Sequence, residues 1–244
     1  MTFQKLGILG AMASEVELLT ETMAKTEPIE VAGLRFYDGA LAGVPVVVVQ
    51  GGVGKVCAAS CTQILIDRFG VDAIVNTGVA GGLHPALAIG DLVIAEDAIQ
   101  HDFDLTAFGH ARGYLPAGGG DDRAPTRFAA DPALTALFCA AADRVHAADP
   151  AAFGQYLRGT VVSGDIFVDS TPLKRELIAQ FGAAAAEMEG AAIAQVATAN
   201  RVPFAIVRAI SDLAEQQATV SFDEFERRAA ALSCRILLDM LTHM

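Results

Sequence analysis

The sequence is poor in basic residues and in long apolar runs. Its 17 lysine and arginine residues are outnumbered by 29 aspartate and glutamate residues, so the net charge is −12. Because so acidic a protein repels phosphate groups, we expect no nucleic-acid partner. No run approaches the roughly 20 apolar residues of a membrane helix, so we expect no membrane partner. The first residues, MTFQKLGILG, lack the apolar region and cleavage site of a signal peptide, and we therefore expect a cytoplasmic protein.

Cysteine is also scarce, which bears on metal binding. Cys57 and Cys61 lie four positions apart, on one face of a predicted helix. Neither histidine nor further cysteine stands at the spacing of a zinc site, so we expect no metal. We interpret all four cysteines, which include Cys139 and Cys234, as free thiols that pack in the core.

Apolar residues, in contrast, are abundant: they make up 53% of the 244 residues, enough for a sizeable core. Short strand patterns alternate with helical patterns, which indicates a mostly parallel or mixed sheet covered by helices on both faces. We therefore predict an α/β fold, a three-layer sandwich with a central mixed β-sheet flanked by helices. Neither a repeat nor a linker divides the chain, so residues 1–244 are predicted to form a single domain.

Local patterns predict the individual elements. Strands are predicted in KLGILGAM, DAIVNTGVAGG, GDLVIAEDAIQHDFD, GTVVSGD and FAIVRAISD, with a hairpin in LRFYDGALAGVPVVVVQGG. The strand in DAIVNTGVAGG is expected to run into a glycine loop. The segment Gly113–Asp131 is rich in glycine, proline and aspartate, which predicts a loop. Helices are predicted from about Ser14 (as N-cap), over GKVCAASCTQILIDRF up to Gly70, over 132–147, over 172–181 and from about Ser221.

The stretch AAAAEMEGAAIA, residues 183–194, contains two carboxylates in apolar surroundings. Glu187 and Glu189 flank Met188 within a run of alanine and glycine. An uncompensated carboxylate is costly to bury among small apolar side chains. Two of them, entering a predicted helix of small residues, therefore indicate a site.

Polar residues also follow several predicted strands. Glu15 stands in GAMASE and Asp212 ends RAISD, while NTGVAGG and SGDIFVD end other strands. Since ligands bind beyond the carboxyl ends of strands in such sheets, we expect these positions to share one rim.

Each of these positions has a simpler interpretation when it is taken alone. Glu15 is also explained as a partner of a helix dipole, and Asp212 as a helix cap. GVAGG is typical of a tight turn, and GGVGK lacks the spacing and the final Ser or Thr of a P-loop. HDFD, residues 101–104, has letters found in metal sites, but we interpret it as a solvated strand end.

Several segments together resemble a known family. GILGAMASEV, GGVGKV, VNTGVAGGL, HDFDLTAFG, VSGDIFV, AEMEGAAIA and VRAISDLA occur in the same order as in the 5′-methylthioadenosine/S-adenosylhomocysteine nucleosidases. The chain is similar to this family from about residue 6 to about residue 240, and more loosely to the purine and uridine phosphorylases. The resemblance implies a nucleoside phosphorylase-like fold and an N-glycosyl hydrolase.

The resemblance further implies the substrates. The enzyme would release adenine and a 5′-substituted ribose from 5′-methylthioadenosine, S-adenosylhomocysteine and 5′-deoxyadenosine. It would serve methionine salvage and the removal of a methyl-cycle product, with a small-molecule nucleoside as substrate and without a cofactor.

The resemblance also assigns roles to residues. Glu15 is similar to the carboxylate that activates the attacking water, and Asp212 to the acid that protonates purine N7. Glu189 resembles the residue that holds the ribose hydroxyls, whereas Glu187 is expected either to support the site or to pair with Arg208. The other residues implied to contact the nucleoside or the water are Ala80, Gly81, Phe167, Val168, Met188, Arg208 and Ser211.

Two groups of these implied contacts concern the base and a second subunit. Phe167 resembles the ring that stacks on the base, and Val168 the residue whose backbone reads its edge. Leu105, Phe108 and Pro116 are similar to residues that reach into a neighbouring subunit's site, which implies a homodimer.

Residues of these types suit cleavage of an N-glycosidic bond. The leaving purine needs an acid, and a buried Asp212 would have the raised pKa that this role requires. The sugar then resembles an oxocarbenium ion, which carboxylate charge stabilises and which water deprotonated by Glu15 captures. Neither a metal nor an organic cofactor is required.

Alternatives remain open. A phosphate-dependent purine nucleoside phosphorylase would need guanidinium groups, but GAMASEV and GGVGKV contain none, so hydrolysis is favoured. A non-catalytic nucleoside-binding protein of the same fold predicts loss of Glu15 or Asp212, and both are present. An aminofutalosine nucleosidase of menaquinone synthesis would share the adenine and differ at the 5′ side. Val79 and His110 depart from the residues that many relatives carry there, which leaves the preferred substrate open.

Overall fold

A computed structural model of the chain describes residues 3–23, 26–118, 120–215 and 218–244. Among these residues the strands are β1 (Leu6–Gly10), β2 (Ile29–Val31), β3 (Leu34–Leu41), β4 (Val44–Gln50), β5 (Ala73–Gly82), β6 (Leu92–Gln100), β7 (Phe128–Ala129), β8 (Tyr156–Ser163), β9 (Ala183–Glu187) and β10 (Phe204–Asp212). The helices are α1 (Ala13–Thr22), α2 (Lys55–Phe69), α3 (Pro132–Ala148), α4 (Thr171–Phe181), α5 (Gly190–Asn200) and α6 (Ala218–Thr242). Short 3₁₀ turns cover Thr106–Phe108 and Pro116–Gly118.

The strands form one ten-stranded mixed sheet in the described part of the chain. Its order is β10-β6-β8-β9-β5-β1-β4-β3-β2, and β7 pairs with β6. β10 also pairs with β5, so the central strands of the sheet close on themselves. The parallel pairs of β1 with β4 and β5 and of β10 with β5 bring several strand ends to one edge.

The core lies on both faces of this sheet. In β4, Val46 and Val48 join the core under α1, α3 and α6, whereas Val47 and Val49 join the core under α2 and α5. Successive side chains of a strand point to opposite faces, which is why a sheet covered on both sides needs an unbroken apolar run such as VPVVVV. The predicted three-layer sandwich with a mixed central sheet is confirmed.

Elements with strong local signals agree with the prediction. β3 and β4 form the expected antiparallel hairpin, and α2 ends at Gly70, which adopts φ 65° in the left-handed region that favours glycine. No helix among the described residues is both long enough and apolar enough to cross a membrane.

The predicted glycine loop after DAIVNT is wrong. β5 continues through Gly82, because its last residues pair with β10 on one side and with β9 on the other. Close approach explains the glycine at position 81, where a Cβ atom would lie 2.9 Å from Asp212 Oδ1. The glycines therefore serve packing within the sheet rather than a turn.

The alanine run before Glu187 is a strand rather than the start of a helix. Ala183–Glu187 forms β9, and the helix begins only at Gly190. β9 lies between β8 and β5 in the sheet, and pairing on both sides overrides the helix propensity of alanine.

Smaller differences concern element ends and burial. α1 has Met12 rather than Ser14 at its N-cap, because the Glu15 carboxylate takes the backbone N–H groups there. α6 begins at Ala218, not at about Ser221. The predicted loop 113–131 also contains a 3₁₀ turn and β7, and its residue Gly119 lies outside the described residues. Cys57 is exposed, contrary to the expectation that all four thiols pack in the core.

Candidate active site

A cavity of about 420 Å³ opens at the carboxyl ends of β1, β5, β9 and β10. Strand pairing brings these ends together although they are far apart in the chain. The lining includes most of the residues expected from the sequence, namely Glu15, Ala80, Gly81, Phe167, Val168, Met188, Glu189, Ser211 and Asp212.

Glu15 lies in the first turn of α1, where backbone N–H groups hold its carboxylate. Oε2 accepts from Ala11 N at 2.6 Å and Met12 N at 2.9 Å, and Oε1 accepts from Val79 N at 3.0 Å. Burial raises the pKa of Glu15, although the charge of Arg208 and the N–H donors counteract this. The result is a fixed carboxylate that is less acidic than usual, which suits a base.

Arg208, on β10, is fully buried among three glutamates. Nη2 donates to Glu187 and lies 3.7 Å from Glu189 Oε2, while Nη1 lies 3.8 Å from Glu15 Oε1. We call Arg208, Glu15, Glu187 and Glu189 the arginine cluster. Burial lowers the pKa of Arg208, but the carboxylate charges outweigh it and raise this pKa overall, so the guanidinium stays charged.

Two nitrogen atoms of the Arg208 guanidinium have no hydrogen-bond acceptor within the described residues. Nη2 also donates to Asn76 Oδ1, but Nε and Nη1 are buried without a hydrogen-bond partner within the described residues. A buried donor without an acceptor is costly, and ligands or water commonly satisfy it. Nη1 lies 3.8 Å from Glu15 Oε1 without a hydrogen bond to it, and it interacts with this carboxylate through its charge.

Glu187, at the end of β9, anchors this group. It forms an ion pair with Arg208, which was one of the two roles expected for it from the sequence. It also accepts a hydrogen bond from Ser163 Oγ. Its oxygens also accept from Glu189 N at 3.2 Å and from Gly190 N at 2.8 and 3.0 Å. Glu187 thereby joins the start of α5 to the guanidinium, which fixes the backbone from which Glu189 projects.

Glu189 stands at the N-cap of α5 and faces the cavity. Its Oε1 accepts from Gly54 N at 2.8 Å, and only 4% of the residue is exposed. Burial and the charge of Glu187 raise the pKa of Glu189 to about 7. Its oxygens can therefore act as hydrogen-bond partners for hydroxyl groups of a ligand.

Gly78 makes the close approach of Glu15 and Arg208 possible. A Cβ atom at this position of β5 would overlap with Glu15 Oε1 and with Arg208 Nη1. No side chain other than the hydrogen of glycine leaves room for both groups behind the cavity.

Asp212 occupies a different part of the cavity, at the end of β10. Its Oδ1 accepts from Ala214 N at 2.8 Å and its Oδ2 from Ser211 Oγ at 3.0 Å. Burial raises the pKa of Asp212, although these hydrogen bonds and the more distant charge of Lys174 counteract this. A carboxyl group with a raised pKa holds its proton more readily, which suits a general acid.

Apolar side chains line the walls between these groups. Phe167 follows β8 and meets Phe222 of α6 edge to face, with ring centroids 5.8 Å apart. No sequence motif indicated that Phe222 lies at the cavity, because its position depends on how α6 packs across the sheet. The lining residues to which the sequence assigned no individual role are Ala11, Met12, Val53, Ile166, Ala186, Thr219, Phe222 and Asp223.

Three expected contact residues do not line the cavity of a single chain. Leu105, Phe108 and Pro116 lie on the segment after β6, and Phe108 is 79% exposed. Arg208 is also absent from the lining, since it lies behind the glutamates that it contacts.

The segment HDFD is not the solvated strand end that we expected. His101 is fully buried, and burial lowers its pKa. Asp102 forms an ion pair with Lys55. No group of histidine, cysteine, aspartate or glutamate in the described ranges has the arrangement of a metal site.

The cavity thus combines two kinds of acid–base group. The arginine cluster offers a fixed carboxylate in front of a buried guanidinium, whereas Asp212 offers a buried carboxyl with a raised pKa. Pairs of carboxyl groups whose surroundings differ in this way serve as base and acid in glycoside cleavage.

Comparison with known proteins places the chain among enzymes. The model of the phosphorylase superfamily matches residues 5–242. The 5′-methylthioadenosine/S-adenosylhomocysteine nucleosidase of Geobacillus thermodenitrificans is 41% identical over 239 residues, which cover 98% of this chain and 96% of that protein.

Solved structures agree with this similarity. The Neisseria meningitidis 5′-methylthioadenosine/S-adenosylhomocysteine nucleosidase in complex with methylthio-immucillin-A has a TM-score of 0.90 at 38% identity, with 99% of this chain and 100% of that chain covered. The futalosine hydrolase of Helicobacter pylori strain 26695 has a TM-score of 0.89 at 35% identity, with 99% and 98% covered.

Proposed function

Since this chain belongs to the 5′-methylthioadenosine/S-adenosylhomocysteine nucleosidases of the phosphorylase superfamily, we propose that it hydrolyses the N-glycosidic bond of these two nucleosides. The products are adenine and the 5′-substituted ribose, and 5′-deoxyadenosine is a further substrate. The observation that carries the proposal is one cavity whose lining includes Glu15, which contacts the buried Arg208, and Asp212, which does not contact it.

Glu15 acts as the base in this proposal. Its carboxylate is held by three backbone N–H groups, and the unpartnered Nη1 of Arg208 lies 3.8 Å from it. A water molecule in the cavity would donate to this carboxylate, and the charge of Arg208 behind the carboxylate would stabilise it. Glu15 then removes a proton from this water molecule while the water oxygen attacks the anomeric carbon.

Asp212 acts as the acid. Its raised pKa keeps a proton available, and transfer of that proton to N7 lets adenine depart as a neutral molecule. Phe167 provides a ring for stacking of the base, and the backbone at Val168 lies on the same wall.

Glu189 binds the ribose hydroxyls, and Met188 packs against the sugar. Positive charge develops on the sugar as the bond breaks, and the glutamates of the arginine cluster stabilise this oxocarbenium-like state. Ala80, Gly81 and Ser211 complete the surface around the nucleoside.

The charge balance of the cavity favours water over phosphate as the nucleophile. A phosphate ion beside Glu15 would meet three carboxylates and a single guanidinium. Sites that bind phosphate need an excess of positive charge and of free N–H donors.

Product analysis tests the reaction. Incubation with 5′-methylthioadenosine should yield free adenine and a reducing sugar, at the same rate with and without inorganic phosphate. Glu15→Gln should remove this activity, because the amide cannot take up the proton of the water. A ribose-1-phosphate product, or a rate that rises with phosphate, would rule out hydrolysis.

The futalosine hydrolase among the similar structures supports a second candidate, an aminofutalosine nucleosidase. Both reactions remove adenine and differ only at the 5′ substituent. Val79 lines the cavity, while His110 lies on the segment after β6, near Tyr114 and Asp122. Comparison of kcat/KM for methylthioadenosine, S-adenosylhomocysteine, 5′-deoxyadenosine and aminofutalosine separates the two candidates.

We also propose that residues 1–244 act as one domain and that the protein is a cytoplasmic homodimer. The support for a dimer is exposed apolar surface: Val53 and Ile166, which line the cavity, are 52% and 48% exposed, and Val56 and Phe108 are 77% and 79% exposed. A monomer gains little by leaving such side chains in water. In the dimer, Leu105, Phe108 and Pro116 of one protomer complete the 5′ end of its partner's cavity.

A further inference from the structure

Lys55 forms an ion pair and a hydrogen bond outside the cavity. Its Nζ lies 2.5 Å from Asp102 Oδ1 and 3.1 Å from Gln100 Oε1. The side chains of Lys55 and Asp102 are only 15% and 16% exposed. Burial raises the pKa of Asp102, but the hydrogen bond and charge of Lys55 outweigh this and hold it below its usual value.

This contact joins three segments that are distant in the chain. Asp102 Oδ2 accepts from Asp165 N at 2.8 Å, and Asp165 Oδ1 accepts from Lys55 N at 2.8 Å. We call Lys55, Gln100, Asp102 and Asp165 the Lys55 junction. It ties the end of β6 and the segment after β8 to the start of α2.

The residue before Lys55, Gly54, connects the Lys55 junction to the cavity through a hydrogen bond. Gly54 donates its backbone N–H to Glu189 Oε1 at 2.8 Å. Gly54 has φ 97°, and a Cβ atom there would lie 3.1 Å from Asp165 Oδ1. Glycine is therefore required at this position, because its backbone must turn in the left-handed region and pass close to the junction.

The hydrogen bond from Gly54 is one of few contacts that orient Glu189. The other carboxylate oxygen lies 3.7 Å from Arg208 Nη2, which is beyond a normal hydrogen bond. The direction of the Gly54 N–H thus decides where the Glu189 carboxylate points.

We propose that Lys55 is a positioning residue for ribose recognition: through Asp102 and Asp165 it fixes the Gly54 N–H, which in turn orients Glu189 toward the sugar hydroxyls. The proposal rests on the proposed function, because it takes Glu189 as the residue that binds the ribose. Lys55 itself does not line the cavity and contacts no reacting atom.

Equilibrium binding of a nucleoside and of its base separates positioning from a purely structural role. Adenine lacks the ribose, so it does not use Glu189. Lys55→Met should raise the Kd of 5′-methylthioadenosine about tenfold, as expected for weakening one charge-assisted hydrogen bond, and should change the Kd of adenine less than about threefold. Calorimetry measures both, in an Asp212→Asn background so that the nucleoside is consumed only slowly.

Kinetics of the otherwise native enzyme give a second measurement. Lys55→Met should raise KM by more than it lowers kcat. Lys55→Arg, which can still reach Asp102, should restore most of the loss, and Asp102→Asn should behave like Lys55→Met. Lys5→Met is the matched control, because Lys5 forms an ion pair of 2.9 Å with Asp38, far from the cavity, and its loss should change neither constant.

Two results would overturn the positioning role. One is an equal rise in the Kd of adenine and of the nucleoside; the other is an unchanged Kd of the nucleoside in both Lys55→Met and Asp102→Asn. Failure of the proposed function is a separate result, since the native enzyme would then release no adenine, or would release it together with ribose-1-phosphate.

Discussion

The glutamates of the arginine cluster and Asp212 are carboxyl groups that line one cavity, but their surroundings differ. Glu15, Glu187 and Glu189 share a buried guanidinium, whereas the hydrogen-bond partners of Asp212 within the described residues are the N–H of Ala214 and the hydroxyl of Ser211. Burial raises the pKa of Glu15, Glu189 and Asp212 alike. What separates them is the nearby charge.

This difference supports the proposed direction of proton transfer. Beside Arg208, an ionised carboxylate is stabilised by Coulomb attraction, so Glu15 can be the group that receives a proton. Away from a guanidinium, Asp212 is more easily kept neutral and can be the group that donates one. In the proposed mechanism one cavity thus holds a base and an acid built from the same functional group.

The largest expected effect comes from removing the proton of Asp212. Asp212→Asn keeps the shape and can still accept from Ala214, but it cannot protonate the purine. We expect kcat to fall by roughly 10²–10⁴-fold, the usual contribution of a general acid. Steady-state kinetics with 5′-methylthioadenosine measure this loss.

The control for this substitution is a buried aspartate outside the cavity. Asp91 is 3% exposed and binds the backbone N–H groups of Ala88 and Gln155. Asp91→Asn should lower the unfolding midpoint while kcat stays close to the native value. Near-native turnover of Asp212→Asn would mean that Asp212 is not the acid.

A smaller effect is expected on the pH dependence of stability, through Glu189. Its pKa rises from 4.5 to about 7 on folding. The folded state therefore holds a proton that the unfolded state has lost, and the free energy of unfolding falls as the pH rises between these values. The fall due to Glu189 should be up to about 3 kcal/mol, and Glu189→Gln should remove it.

Urea unfolding at several pH values and constant ionic strength tests this. The native protein and Glu17→Gln, an exposed position on α1, should share the same slope, and only Glu189→Gln should be flatter. If Glu189→Gln and the native protein change in parallel with pH, Glu189 does not take up a proton on folding.

The smallest effect is expected outside both groups, at Phe108. Phe108→Ala removes an exposed ring that, in the proposed dimer, lies at the 5′ end of the partner's cavity. We expect KM to rise about fivefold for substrates with a long 5′-thio group, equivalent to about 1 kcal/mol of apolar contact, and the dimer to weaken. Binding of adenine should not change.

Kinetics and sedimentation at micromolar concentration measure these two effects. Ile29→Ala is a suitable control, since Ile29 is a 42% exposed apolar residue on β2, at the far edge of the sheet. A native protein that sediments as an active monomer would contradict the dimer.

Local sequence patterns predicted much of the fold. The hairpin of β3 and β4 and the end of α2 at Gly70 depend on neighbouring residues, so their patterns were sufficient. The strand Ala183–Glu187 was not predictable in this way, because alanine favours a helix and only its neighbours β8 and β5 hold it in the sheet.

In the candidate site, too, some residues were predictable from local sequence and others were not. Glu15, Glu189 and Asp212 were predictable, because each is a polar residue beside an apolar strand or helix. Phe222 was not, since it reaches the cavity only through the packing of α6. The burial of His101 was missed as well, because the letters HDFD are equally typical of a solvated turn.

The sequence by itself determined which groups are present: carboxylates at the ends of apolar strands, glycines where backbones approach closely, and an arginine inside the last strand. Only the tertiary structure decided which carboxylates share that arginine and which one stands apart from it. Arg208 meets Asn76, 132 positions away, and Glu15 because β10 pairs with β5 next to β1. Contacts of such sequence separation depend on strand pairing over the whole sheet, which no local pattern encodes.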